Sequence, residues 1–502
     1  MRINHLTIKL VFLLVVLVSC EQKRKYWIYL DDIECYNSEE SDINPACYET
    51  PSKSKKENDF RNSMKAFGIG VEYYSNWLNA GTAWLSKSEL ENVTNSSIVK
   101  EVISVMNLKL TSNQLNSKSS DFSFALEQIQ GAYLIDKGLT GKGVKIGIID
   151  GGFLDANEKT ALTHVFKNEG VKAYKDYLTP NRKQYGGTKS ADDGHGTEVW
   201  TQIAGLNLKR NVQFGLATEA EFYLARTDDG RKENRVEEEY LIKALEWMDS
   251  QGVKLVNISL GYSTGFDNPK DNYLPEHIDG KYTSVTRAVN IASKEKGMLI
   301  IVSAGNDGQN SFKVLSAPGD AQGVLTVGAT NFKTWDKTNY SSIGPEPLGF
   351  LKPNVSCFAF NGTSFSAPVI TGLAACIMQL NDSLTNEDII SIIERSSHLF
   401  PYGNNYVGYG VPSCKKVYQI ITNEDNNKDN QAKLIRSRKS SVRIKMPSEE
   451  GRIIYFHKSS PTNVISQKKE GFTNFTQIVT KPKNTHYTTL ISGEFVREIK
   501  WN

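Results

Sequence analysis

Between residues 122 and 420, short runs of branched apolar residues alternate with amphipathic helical patterns, and this alternation leaves the chain few folds to choose from. Residues 144–149, 255–260, 299–302 and 324–327 are apolar almost throughout, the pattern of strands covered on both faces. Between them Leu241, Ala244, Leu245 and Met248 keep the i, i+3, i+4, i+7 spacing of one helix face, as do Val285, Ala288, Val289 and Ala292. Strands that take turns with helices build a mostly parallel sheet whose sites lie beyond the strands' carboxyl ends. An α/β domain is expected here, without internal repeats.

The amino end has a different character. Arg2 and Lys9 mark a basic start, residues 10–18 are apolar, and Ser19-Cys20 follows. This is the layout of a secretory signal over residues 1–19. Its close resembles the lipobox of bacterial lipoproteins, which implies a lipid on Cys20 and attachment to the cell envelope, expected at the outer membrane on its periplasmic or surface face. A plain signal peptide that contains a cysteine is the alternative. Residues 10–18 fall short of the roughly 20 residues that span a bilayer, so no transmembrane helix is expected in the mature chain. Cys35 and Cys47 are near enough in sequence for a local disulfide. Together with Cys357, Cys376 and Cys414 they make an odd set, which leaves at least one thiol unpaired in an oxidising compartment.

Residues 20–118 are expected to form a small α+β region. Residues 26–30 read as a strand, Ser86-x-x-Glu89 is a capping box that opens a helix, residues 98–105 read as a second strand, and a Ser/Asn-rich linker or processing segment covers 112–121. The α/β domain is assigned to 119–421. A polar stretch at 423–430 then leads to strand patterns at 442–446, 453–457, 475–479, 487–491 and 495–501, so 422–502 is expected to be a small β-sheet domain. Residues 424–502 carry 15 Lys/Arg against 8 Asp/Glu, in a chain whose total charge is +3. That excess is either a docking surface for anionic glycan or lipid or a solvated face that keeps edge strands apart. With 39% hydrophobic and 23% charged residues, the whole chain is neither disordered nor a polybasic nucleic-acid binder.

Four segments carry the chemistry. Asp150 follows the strand at 144–149 and precedes Gly151 and Gly152, so its carboxylate is fixed where it can orient an imidazole. His195 stands in Asp192-Asp193-Gly194-His195-Gly196-Thr197, where glycines let the backbone of a helix start approach closely. Ser364 stands in Asn361-Gly362-Thr363-Ser364-Phe365-Ser366-Ala367-Pro368, a turn that delivers a hydroxyl to the amino end of a helix, with Pro368 in its opening turn. The fourth, Ser303-Ala304-Gly305-Asn306-Asp307-Gly308, follows the strand at 299–302. Taken singly, the Asp150, His195 and Asn306 segments have plain structural explanations as a turn, a capping histidine and a left-handed asparagine.

Together, and in this order over residues 122–418, they resemble the subtilases, subtilisin-like serine peptidases with the Asp, His, Ser order. The resemblance implies a subtilisin-like domain and a serine endopeptidase acting on protein or peptide substrates. Asp150, His195 and Ser364 would be the triad, and Asn306 would stabilise the oxyanion together with the Ser364 N–H. Ser259, Leu260 and Gly261 resemble the strand that pairs with substrate, with Ala304 and Gly305 as the facing wall of the pocket before the cut. Residues 25–110 resemble the propeptide of a subgroup of envelope subtilases, with 26–30, 77–80 and 98–105 as its strands and 85–90 as the turn into its helix. In the family such a segment is an intramolecular inhibitor removed by processing; a permanent amino-terminal domain is the alternative. No cofactor is implied, no metal ligands are assignable, and structural calcium is frequent in the family. A non-catalytic binding protein on a decayed peptidase scaffold is the competing function. A nucleotide-binding α/β protein would need a glycine-rich phosphate loop, and neither common type is present.

Three residue choices depart from the family. Gly151 stands where Ser or Thr is usual, Trp200 where a small residue is usual, and only four residues separate Cys357 from Gly362, where a longer loop is usual. Cys376 is expected to be a buried small residue. His164, His277, His398, His457 and His486 are scattered and are expected at the surface or in turns.

Overall fold

The computed structural model describes residues 23–30, 53–105, 123–187, 191–229, 237–264, 272–424 and 432–502. The signal segment, Cys20, Cys35, Cys47 and the Ser/Asn-rich stretch at 112–121 lie outside the described residues. The chain divides into two compact units, Met1–Val105 and Met106–Asn502.

In the first unit, β1 (Arg24–Leu30), α1 (Lys53–Ala66), β2 (Val71–Ser75), β3 (Ala80–Leu85), α2 (Lys87–Thr94) and β4 (Val99–Ser104) form an antiparallel sheet of order β2-β3-β1-β4 with two helices. The capping box forms: Ser86 Oγ accepts from Glu89 N at 3.2 Å, and Ser86 N donates to Glu89 Oε2 at 2.7 Å. Ile28, Phe60, Met64 and Leu85 fill its core. Residues 77–79, expected within a strand, instead turn the chain from β2 into β3, with Asn79 at φ +48°. Trp77 and Leu78 read as strand because they are apolar; the turn depends on Asn79, a residue that tolerates the left-handed region.

The second unit is built on a seven-stranded sheet. Its strands are β5 (Lys145–Asp150), β6 (Val171–Asp176), β7 (Glu221–Arg226), β8 (Leu255–Ile258), β9 (Leu299–Ser303), β10 (Leu325–Thr330) and β11 (Val355–Phe358). Their order is β11-β10-β9-β8-β5-β7-β6, and every pair is parallel. Apart from the edge strand β6, which is polar and part-exposed, the strands are buried almost throughout, as their apolar sequences require. From β5 the chain runs out to β6, returns to β7, and crosses to β8 on the other side of β5. The carboxyl ends of β5 and β8 therefore flank the point where the winding direction changes, the usual place for a site in such sheets. Helices α3 (Ala191–Ala204), α4 (Glu237–Ser250), α5 (Ser284–Lys294), α6 (Ala367–Leu380) and α7 (Asn386–Ser396) complete the α/β frame. Thr363–Leu380 is apolar enough to cross a membrane, yet 83% of it is buried inside the protein. Trp200 fits because Phe153, Phe166 and Phe222 surround it, with ring centroids 5.2–6.5 Å away.

The carboxyl-terminal strands are β12 (Lys433–Ser437), β13 (Ser441–Lys445), β14 (Gly451–Lys458), β15 (Val464–Phe472), β16 (Thr476–Thr480), β17 (Tyr487–Ser492) and β18 (Phe495–Trp501). They form a five-stranded sheet of order β12-β18-β17-β14-β15 and a separate β13-β16 pair. This region lies in the same compact unit as the parallel sheet. Leu399 and Val407 share an apolar cluster with Phe456, Val464 and Val496, and Asn405 Oδ1 accepts from Val464 N at 2.9 Å. Across the same junction Lys469 Nζ meets Asp336 Oδ2 at 2.8 Å.

Candidate active site

Asp150 ends β5 and is fully buried. Its Oδ1 lies 2.8 Å from His195 Nδ1 and accepts from Gly151 N at 2.8 Å. Oδ2 has no hydrogen-bond partner among the described residues, and Gly151 beside it has no hydroxyl to offer. His195 lies near the start of α3, 5% exposed, with its ring 5.4 Å from that of Phe365. The glycines bring these two backbones together. A Cβ on Gly152 would meet Asp193 O at 2.5 Å, and one on Gly196 would meet Gly152 O at 2.6 Å; Gly196 N donates to Gly152 O at 2.9 Å.

A buried arginine ties the same region to the sheet. Arg226, at the end of β7, donates from Nε to Gly151 O at 2.9 Å, pairs with Asp176 at 3.2 Å and reaches Asp193 at 3.5 Å. The next residue stays bonded to the end of β5: Thr227 N donates to the backbone carbonyl of Asp150 at 3.1 Å. Asp228 is 1% exposed and accepts from Thr227 Oγ1 at 2.6 Å, while its Oδ1 has no hydrogen-bond partner among the described residues. Burial pushes its carboxyl up to about 7, with the nearby Asp150 charge acting in the same direction, against the Thr227 hydrogen bond and the charges of Arg226 and His195. Nothing in the local sequence marks Arg226 or Asp228 as part of this site.

Ser364 lies in a tight turn (Thr363–Phe365) that leads into α6. Gly362 opens it at φ +143°, a conformation reserved for glycine. Asn306 is held against this turn, its Oδ1 accepting from Thr363 N at 2.9 Å, and Nδ2 makes no hydrogen bond among the described residues. Gly305 lies at φ +100°, its N donating to Thr363 Oγ1 at 3.0 Å. Ser259 and Ser364 exchange bonds: Ser259 Oγ donates to Ser364 O at 2.9 Å, and Ser364 Oγ donates to Ser259 O at 3.1 Å. The Ser364 hydroxyl thus points at Ser259. Leu260 and Gly261 continue from Ser259, with Ala304 and Gly305 on the neighbouring strand's end. Ser316 lies between these segments, its side chain against both Gly261 and Gly305. No motif marks it either.

The remaining nucleophile and base candidates lie elsewhere. Cys357, Cys376 and Cys414 are free and buried, and burial raises the Cys376 thiol to about 12. His398 lies in a turn, as expected, and is buried there; His164 in a helix and His457 in a strand are buried too, contrary to the surface or turn role expected of them. Burial holds His398 down at about 3, its Nδ1 accepting from Val411 N at 2.9 Å beside Trp335.

A family model described as the subtilase family matches residues 141–410. Subtilisin NAT of Bacillus subtilis subsp. natto is 27% identical over 307 residues, 59% of this chain and 71% of that protein. Subtilisin of Bacillus pumilus is 26% identical over 306 residues, 59% of this chain and 98% of that protein. Among solved structures, the epidermin leader peptide processing serine protease of Staphylococcus aureus has a TM-score of 0.52 at 18% identity, covering 81% of this chain and 99% of that one. Fervidolysin of Fervidobacterium pennivorans, a keratinolytic enzyme related to subtilisin, has a TM-score of 0.54 at 15% identity, covering 93% and 70%. At those identities the two structures speak to the fold alone.

Proposed function

The chain belongs to the subtilase family of serine endopeptidases, and from that premise we propose that it cleaves polypeptides with Ser364 as nucleophile, His195 as general base and acid, and Asp150 as the group that orients the imidazole and stabilises the imidazolium. The bond of 2.8 Å between Asp150 and His195, at the same sheet edge as the Ser364 turn, is the observation that carries this reading. Substrate binding turns the Ser364 hydroxyl from Ser259 O to His195; Oγ then attacks the scissile carbonyl as the imidazole takes its proton. The free Asn306 Nδ2 and the Ser364 N–H receive the developing oxyanion, helped by the amino end of α6. His195 next protonates the leaving amine, and water releases the acyl group by the same steps in reverse.

The acyl half of the peptide is proposed to pair with Ser259, Leu260 and Gly261. Ala304 and Gly305 form the opposite wall of the pocket before the cut, and Ser316 its floor. A floor made of serine leaves more room than an aliphatic one and less than glycine. We further propose that Cys20 carries a lipid that holds the protein in the cell envelope and that residues 25–110 act as a propeptide.

The competing reading, a binding protein on an inactive scaffold, makes an opposite prediction. A fluorophosphonate probe should label the full chain and fail to label Ser364→Ala; an unlabelled wild type sinks the catalytic assignment. Intact mass of the membrane-extracted protein tests the lipid, since a chain that begins before Cys20 without added acyl mass contradicts it.

A further inference from the structure

We propose that a recess between the outer edge of the parallel sheet and the carboxyl-terminal sheet is an anion-selective exosite, which receives acidic side chains of the substrate downstream of the cut. The inference rests on Ser364 being the nucleophile. β10 ends into Asn331–Thr334 and β11 ends at Phe358, leaving only Ala359, Phe360 and Asn361 before the nucleophile turn at Gly362. With so short a connector, the surface beside it opens as a pocket of about 830 Å³. A second pocket of about 320 Å³ adjoins it, and the two share Lys333, Thr334 and Arg452.

The recess is joined directly to the catalytic turn. Tyr340 Oη donates to Ala359 O at 2.7 Å, and Gly308 N donates to Tyr340 O at 2.9 Å. One wall is therefore bonded both to the connector before Ser364 and to the loop that carries Asn306. With the acyl half of a peptide on Ser259–Gly261, the half beyond the cut runs past Ser364 toward this wall. The floor is aromatic: Phe124 and Phe332 stack at 4.9 Å, and Phe360 stands 50% exposed.

Charge selects the occupant. Lys333 and Arg452 are exposed and have no ion pair or hydrogen bond among the described residues, whereas Lys469 is already bound to Asp336 at 2.8 Å. The lining of the larger pocket thus holds three cations and one carboxylate. A guanidinium in such a place takes a carboxylate through two parallel N–H···O bonds. Part of the positive excess of the carboxyl-terminal region is in this way directed at the peptide leaving the site. An anionic membrane fits less well, because a flat lipid surface does not follow cations into a recess, while a peptide side chain does.

The test uses two internally quenched peptides with one scissile sequence, followed three to six residues beyond the cut either by Asp and Glu or by Asn and Gln. The full chain should prefer the acidic peptide roughly 5-fold in kcat/KM at low ionic strength, through KM, as two exposed ion pairs would allow. Salt should erase the preference. The charge reversal Arg452→Glu with Lys333→Glu should invert the ratio, an outcome that misfolding does not produce. Equilibrium binding of both peptides to Ser364→Ala gives a readout independent of turnover: tighter binding of the acidic peptide supports the exosite, and equal binding overturns it. A wild type that cleaves neither peptide while Ser364→Ala still prefers the acidic one rejects the nucleophile assignment and keeps the exosite. If the charge-reversed chain loses binding to phosphatidylserine vesicles with its peptide ratio unchanged, the recess serves lipid and the proposal fails.

Discussion

The Asp150–His195 half of the site and the Ser364 half are prepared to different degrees. The first is complete: the carboxylate and imidazole are already bonded at 2.8 Å, both are buried, and their backbones meet where Gly152 and Gly196 leave no space for a side chain. The second has its backbone locked by Gly362, Thr363 and Asn306, yet its hydroxyl rests on Ser259 O at 3.1 Å. The difference follows from what each group costs to place. A buried carboxylate without its partner is destabilising by several kcal/mol, whereas a hydroxyl moves between staggered rotamers at little cost. The fold therefore assembles the buried carboxylate–imidazole pair in advance and leaves the Ser364 hydroxyl on Ser259 O.

The strongest way to break this comparison acts on the Ser364 half. Asn306→Ala should lower kcat by roughly 100- to 1,000-fold with KM nearly unchanged, because its free amide is aimed at charge that exists only after attack. A variant that keeps its turnover rate and loses peptide binding would place Asn306 in the substrate pocket and make the two halves alike.

Ser316→Gly should have a smaller effect on the same half. Removing the floor between Gly261 and Gly305 should raise kcat/KM for a large apolar residue before the cut, relative to alanine, by roughly 10-fold. Steady-state rates on a peptide pair differing only at that position decide it, and an unchanged ratio removes Ser316 from the pocket.

Asp228→Asn sharpens the comparison from the charged side and should change stability most visibly. The Asp228 carboxyl is raised by burial to about 7, against an ordinary value of about 3.9. The folded state holds a proton there that the unfolded chain has lost, so this contribution is complete below about pH 3.9 and disappears as pH rises through about 7. Asparagine mimics the protonated form at every pH. Tm of Asp228→Asn minus that of wild type should climb between those values and level off above them; a difference independent of pH would mean Asp228 is ionised throughout.

Local backbone demands explain why much of the site is legible in the amino-acid sequence. Asp150, His195, Asn306 and Ser364 each have glycines close by in the chain, and two of those, Gly305 at φ +100° and Gly362 at φ +143°, hold conformations that few other residues adopt. The buried strands show themselves as branched apolar runs, and Ser86 with Glu89 marks a helix start. Where charge masks periodicity the pattern fails: α1, with the sequence Lys-Ser-Lys-Lys-Glu-Asn-Asp near its start, is polar and charge-rich and does not announce itself as a helix although Phe60 and Met64 are buried. In the carboxyl-terminal region β15 is hidden for the same reason, with Lys468, Lys469 and Glu470 along it.

What the sequence by itself determined was thus the α/β frame and the residues that must take special backbone shapes. Only the tertiary structure decided which other residues share the site. Arg226 reaches Gly151, Ser316 fills the space between Gly261 and Gly305, and Arg452 of the last sheet faces the recess beside the Ser364 turn. None of these carries a signal in its neighbours, because φ and ψ preferences are set by residues adjacent in the chain, while burial, pKa and the walls of a pocket are set by segments that folding brings together from far apart.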